Sequence, residues 1–165
     1  MFTQNITIPI FSTVLNGILT IPKNAKGLVI FVHGSGSGRF SSRNQYVASI
    51  LNQAGLATLL FDLLSNEEEF IDNTIREYRF DITLLSMRLV EVTKWVANNP
   101  QLFNLSIGYF GASTGAAAAI IASVNTTQPI KAIVSRGGRI DLASQELSFI
   151  TCLLYTSDAA DDTPC

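Results

Sequence analysis

Residues 105–115 read Leu105-Ser106-Ile107-Gly108-Tyr109-Phe110-Gly111-Ala112-Ser113-Thr114-Gly115. The apolar run at 105–110 predicts a strand. The nearly all-apolar, alanine-rich run from Gly115 to Val124 predicts a buried helix. Between them Gly111 and Gly115 flank Ser113 at G-x-S-x-G spacing, where crowding between strand and helix demands small neighbours. A serine on such a turn sits in a strained backbone conformation, and the amide of Thr114, at the start of the helix, points to where an oxyanion would form. The plainer alternative is that Ser113 caps the helix. As a nucleophile it needs a base, and the chain's one histidine, His33, lies far upstream.

The flanking sequence supplies the elements around this turn. Ile6, Ile8 and Ile10, then Val14, Leu15, Ile18, Leu19 and Ile21, predict two short antiparallel strands with Asn16-Gly17 as turn or bulge. Residues 28–32 and 56–61 are continuous apolar runs, as in strands buried on both faces. Between them Ser41 or Ser42 caps a helix carrying Val47, Ile50, Leu51 and Ala54, with Gly55 at its C-terminal cap. The acidic stretch 65–69 predicts a solvated loop or a first helical turn. Ile82, Leu85, Leu89, Val92 and Val96 form one stripe of a helix that Asn99-Pro100 stops. A further strand spans 130–134. Strands alternating with helices make this an α/β fold, a mostly parallel, doubly wound sheet with an antiparallel N-terminal strand pair. Ligands bind at the carboxyl ends of such strands, where His33, Asp62, Ser113 and Arg136 stand.

The other glycine-rich loop is His33-Gly34-Ser35-Gly36-Ser37-Gly38. Arg39 stands where G-x-G-x-x-G needs its third glycine, and no Gly-Lys-Ser/Thr follows, so neither dinucleotide-binding nor P-loop spacing is met. A phosphate-binding loop stays open as an alternative. A better-fitting use is to aim the Ser35 amide at a substrate carbonyl oxygen, completing an oxyanion hole with the Thr114 amide.

Composition narrows the classes. A chain of 165 residues that is 47% hydrophobic and 15% charged suits one globular domain and excludes disorder. A net charge of −2 with scattered lysine and arginine gives no nucleic-acid footprint. No apolar run approaches the ~20 residues that span a bilayer, and the N-terminus lacks a signal-peptide pattern. The two cysteines, Cys152 and Cys165, fall in the last stretch and allow neither a disulfide framework nor a metal cluster. A cytoplasmic protein with no nucleic-acid or membrane partner is expected.

From Gly27 to Ala143 the chain resembles the α/β-hydrolase superfamily, in particular a dienelactone-hydrolase-like branch. The resemblance rests on 28–38, on Gly55-Leu56-Ala57-Thr58-Leu59-Leu60-Phe61-Asp62-Leu63-Leu64, on Gly111-Ala112-Ser113-Thr114-Gly115-Ala116-Ala117, and on Ser135-Arg136-Gly137-Gly138-Arg139. It implies that Ser113 is the nucleophile, where dienelactone hydrolases proper carry cysteine, and hence a serine hydrolase acting on an ester or lactone without a cofactor. It implies that His33 and Gly34 brace their own loop, with Gly111 and Gly115 supporting the turn. It implies a triad order Ser…Asp/Glu…His. Asp141, after the last visible strand, is a candidate acid or else a helix cap or loop carboxylate. Arg136 is a candidate for gripping a substrate carboxylate, Asp62 a turn carboxylate. A non-catalytic binding module of the same fold and a nucleotide-binding α/β domain are the alternatives.

After a short polar, helix-like stretch to Thr151, residues 152–162 resemble the conceptual translation of a transposon-based sequencing adapter. The expectation is an incomplete hydrolase domain over 1–151 and an artefactual tail over 152–165, with the triad histidine not encoded. The strand at 130–134 is then expected to be an exposed edge, and the fragment inactive and poorly soluble.

Overall fold

Every apolar run read as a buried strand lands in one sheet. A computed structural model of the chain describes residues 1–158. Its strands are β1 (Phe2–Ile10), β2 (Thr13–Ile21), β3 (Gly27–Val32), β4 (Ala57–Phe61), β5 (Ser106–Ala112), β6 (Ile130–Arg136) and β7 (Leu153–Ser157). Their order across the sheet is β1-β2-β4-β3-β5-β6-β7. β2 runs antiparallel to both β1 and β4, and β4, β3, β5, β6 and β7 are mutually parallel. Four α-helices connect and cover them: α1 (Ser42–Gln53), α2 (Asn66–Ile75), α3 (Ile82–Asn98) and α4 (Thr114–Asn125).

Two-sided burial explains why β3 shows no polar alternation. Leu28, Ile30 and Val32 join the large core with Leu85, Leu89, Val92 and Val96 of α3 and the alanines of α4. Phe31 and its half-buried neighbour Val29 face the other way, packing with Leu60, Phe110 and the α1 residues Val47, Ala48 and Leu51. α1 therefore covers one face, and α3 and α4 the other. Alanine along α4 lets that helix lie close to the sheet. A Cβ built on Gly115 would sit 2.1 Å from the carbonyl oxygen of Val32 and 2.4 Å from that of His33.

The structure corrects several expectations. The chain reverses at Phe11-Ser12, with Phe11 at φ 51°, and not at Asn16-Gly17. Asn16 and Gly17 lie inside β2, opposite Thr7 and Ile6. They stay small and polar for a long-range reason: the Asn16 carbonyl accepts from the Asp62 amide at 2.9 Å, and a Cβ at Gly17 would press on the Leu60 carbonyl at 3.3 Å. The acidic stretch is the first turn of α2. Ser65 and Glu68 form a reciprocal capping box there. Glu68 is not simply solvated, because it also takes a bidentate contact from the buried Arg88 of α3, at 2.9 and 2.6 Å. That pairing holds its carboxyl below the usual glutamate range.

The strand at 130–134 is not an edge. β6 extends to Arg136 and is covered by β7, which pairs with it in parallel from Ala132↔Leu153 to Arg136↔Ser157. Leu154 of β7, with Cys152 just before it, also packs against the core. Residues 153–157 thus belong to the sheet, although the sequence places them outside the domain. The open edge moves out one strand, to β7, where Leu153 and Tyr155 are exposed. Ile140–Ala143 and Leu147–Phe149 form 3₁₀ turns between β6 and β7. Cys165 lies outside the described residues, and Cys152 is half-buried.

The tight approach at Gly115 gives a stability test. Gly115→Ala is expected to cost more than about 4 kcal/mol or to prevent folding, because backbone on both sides must move. Gly55, at φ 87° with open space around its would-be Cβ, provides the contrast: Gly55→Ala should cost only roughly 1–2 kcal/mol, the left-handed penalty alone. Urea unfolding midpoints of the two variants compare them directly.

Candidate active site

Ser113 joins β5 to α4 with φ 51° and ψ −123°, a conformation that ordinary side chains avoid. Three backbone hydrogen bonds hold it there. Its amide donates to Arg136 O at 3.3 Å, and its carbonyl accepts from Arg139 N at 3.0 Å and Ala116 N at 3.1 Å. The first two come from the end of β6 and the loop beyond it, so a neighbouring crossover locks the turn. Ser113 makes no side-chain capping bond to α4, which removes the plain helix-cap reading of its hydroxyl.

The 34–38 loop lies against this turn. A Cβ built on Gly34 would be 3.1 Å from the Ser113 Cβ. The Ser35 amide donates to the Thr114 hydroxyl at 3.2 Å. Asp62 clamps the far end of the loop: its Oδ1 accepts from the Arg39 amide at 2.7 Å, and its Oδ2 pairs with the Arg39 guanidinium. The turn carboxylate therefore has a definite partner. α1 begins beyond the loop, at Ser42 with Ser41 as its cap.

His33 is buried beside the loop, with both ring nitrogens committed. Nε2 accepts from the Leu63 amide at 3.0 Å, and since an amide nitrogen can only donate, the ring proton resides on Nδ1 and goes to Gly34 O at 2.8 Å. Burial pushes its pKa below the ordinary histidine value, against smaller raising effects from the Gly34 carbonyl, Asp62 and Glu69. Leu63 links this brace to a second layer, since its carbonyl accepts from the same Arg88 that grips Glu68. Neither Leu63 nor Arg88 carries a sequence signal: one acts through backbone atoms, and the other sits on a helix whose partner is twenty residues earlier.

A cavity of about 120 Å³ opens on the loop side, lined by His33, Ser35, Asp62, Asp72, Arg79 and Leu85 among others. Arg79 is anchored on buried Asp72 through Nε at 2.6 Å, with Nη2 on the Asp72 carbonyl at 3.2 Å. Sequence reasoning missed both residues, because the segment ahead of α3 lacked a readable periodicity.

The remaining candidates do not converge on Ser113 through their side chains. Asp141 is exposed and forms a bidentate pair with Arg139, two residues away, at 2.9 and 2.8 Å. This pairing lowers its carboxyl below the usual aspartate range. Arg136 stands over the Phe110 ring, 5.7 Å from its centroid, and its backbone carbonyl is what holds Ser113.

Comparison with known proteins places this geometry. No protein-family model matches the chain. It is 48% identical to a crystallised dienelactone hydrolase from Anabaena variabilis, superposing with a TM-score of 0.92 over 94% of this chain and 72% of that one. The chain belongs to the dienelactone hydrolase family. An α/β serine hydrolase homologue from Coxiella burnetii shares the fold at 15% identity, with a TM-score of 0.73 over 93% of this chain and 72% of that one. A Mycobacterium tuberculosis protein provisionally named a phosphoribosyl transferase is 52% identical over 134 residues, 81% of this chain. The match spans only 29% of that protein's length. No helix among the described residues is long and apolar enough to cross a membrane.

The buried neutral His33 makes stability pH-dependent in a predictable sense. Its folded pKa lies below 6.5, so the unfolded chain takes up the proton first as pH falls. Stability is full above pH 6.5 and declines below it, by at most about 1.4 kcal/mol per pH unit, ahead of the loss carried by Glu68 at lower pH. Denaturation midpoints measured between about pH 7.5 and 5 check this, and His33→Gln should flatten that limb.

Proposed function

We propose that this chain carries the nucleophile and oxyanion-binding half of a serine hydrolase that cleaves a carboxylic ester or lactone through an acyl-enzyme. The observation that carries this reading is the locked backbone of Ser113 at φ 51°. Such a conformation costs about 1–3 kcal/mol and persists where the surroundings over-determine it, as three hydrogen bonds from two elements do here. The family relationship supports an ester or lactone as the substrate class.

The steps follow from the geometry. The Ser113 oxygen adds to the carbonyl carbon while its proton passes to a base, and the carbonyl π pair becomes an oxyanion facing the Thr114 amide, with the Ser35 amide one bond away on the Thr114 hydroxyl. The tetrahedral species then collapses, the C–O bond to the leaving group breaks, and the departing oxygen takes the proton. Water repeats the sequence to free the acid and restore the serine. No cofactor enters this scheme.

The base is assigned outside these 165 residues. His33 is the chain's one histidine, and its Nε2 lone pair already accepts from Leu63. Asp141 is given no part in the relay, because its carboxylate is committed to Arg139 at the surface. The acid and histidine are assigned to a continuation of the gene beyond Thr151, where the adapter-like tail begins.

Reading the locus past the codon for Thr151 should reveal a strand followed by Asp or Glu and then a histidine. The protein so completed should be labelled at Ser113 by a fluorophosphonate, and Ser113→Ala should abolish the labelling. The 165-residue chain should react more slowly by a factor on the order of 10⁶, the cost of losing a triad base. A completed protein that ignores the reagent would instead favour a binding module of the same fold.

A further inference from the structure

The Ser35 amide is aimed at the hydroxyl of Thr114, 3.2 Å away, and not at open space beside Ser113. This changes what the oxyanion site presents. A hydroxyl that accepts an N–H bond through a lone pair still has its own proton to give. A threonine inside a helix usually gives that proton to the carbonyl four residues earlier. Thr114 is the first residue of α4, and four residues earlier is Phe110, in the middle of β5 and paired with strands on both sides. The usual acceptor is therefore engaged in the sheet. Thr114 is buried, follows Ser113 directly, and its hydroxyl bridges to the loop where a Cβ on Gly34 would come within 3.1 Å of the Ser113 Cβ.

Resting on the serine-hydrolase reading, we propose that the Thr114 side-chain hydroxyl is a catalytic oxyanion donor, with the Ser35 amide acting through it. The Ser35 N–H polarises the hydroxyl, and the hydroxyl donates to the oxygen that gains charge when Ser113 adds to the carbonyl. The Thr114 amide supplies the second bond. A hydroxyl that already accepts one hydrogen bond donates a stronger one, so the relay gains most when the acceptor is anionic. Its effect falls on the transition state more than on the bound ester. No proton is transferred and no bond breaks in this step.

The test uses the protein completed by reading the locus past Thr151, with p-nitrophenyl acetate as substrate and Ser113→Ala as background. Losing one oxyanion donor costs about 10²–10³ in kcat, so Thr114→Val should lose a factor of that order with KM unchanged, and Thr114→Ser should recover most of the activity. Thr114→Ala replaces the valine variant if that fails to fold. In parallel, the Ser35 amide proton should exchange slowly in the wild-type chain and in Thr114→Ser, and faster in Thr114→Val. A valine variant as active as wild type, or a Ser35 amide whose exchange ignores the substitution, overturns the proposal while leaving the hydrolase reading in place. A completed wild-type protein no faster than its Ser113→Ala variant overturns the hydrolase reading, and this proposal falls with it.

Discussion

The first turn of α4 presses on the last residues of β3 with nothing but a glycine between them. Gly115 faces the carbonyls of Val32 and His33 at a distance where a methyl group has no room. This contact sets how far α4 can sink into the sheet and, with it, where Ser113 emerges at the end of β5. It also brings the 34–38 loop, which continues β3, against the residue that begins the helix. The bond between Ser35 and Thr114 exists because of that approach.

Around this contact the polar groups form a chain of dependence. Glu68 and Arg88 join α2 to α3, Arg88 holds the Leu63 carbonyl, the Leu63 amide fixes His33, and His33 holds Gly34. Each link satisfies a buried group that would be costly to leave unmade. The histidine serves here as a two-ended brace, donating at one nitrogen and accepting at the other, and burial keeps it neutral so that it can do both. Protonation would put two donors face to face at Leu63.

What the sequence discloses is what local pattern encodes. Continuous apolar runs at 28–32 and 57–61 and the G-A-S-T-G turn were legible because burial on both faces and steric crowding leave their mark on neighbouring residues. The reversal at Phe11-Ser12 was not, since Phe11 is no usual turn former, and Asn16-Gly17 looked the part while serving a long-range contact with β4. The role of Asp62 as the clamp on Arg39 spans 23 residues and leaves no periodic trace. The direction of the Ser35 amide was illegible for the same reason: composition permits the loop, and only the packing of Gly34 on Ser113 decides where its N–H groups point. The likeness of residues 152–162 to a translated adapter hid β7.

The parallel run of β4, β3, β5, β6 and β7 has a consequence for how such a molecule can change over time. Each of these strands finishes at the same rim, so every crossover deposits its next loop beside Ser113. Gly137, past the end of β6, already bonds to the carbonyl of Ser157 at the end of β7. Chain added at the β7 margin would therefore bring new side chains to the reactive rim, whereas at the other margin the outermost strands β1 and β2 are an antiparallel pair. Chemistry and scaffold can then diverge at different rates: the rim is open to invention by accretion, and the glycine contact beneath it is not.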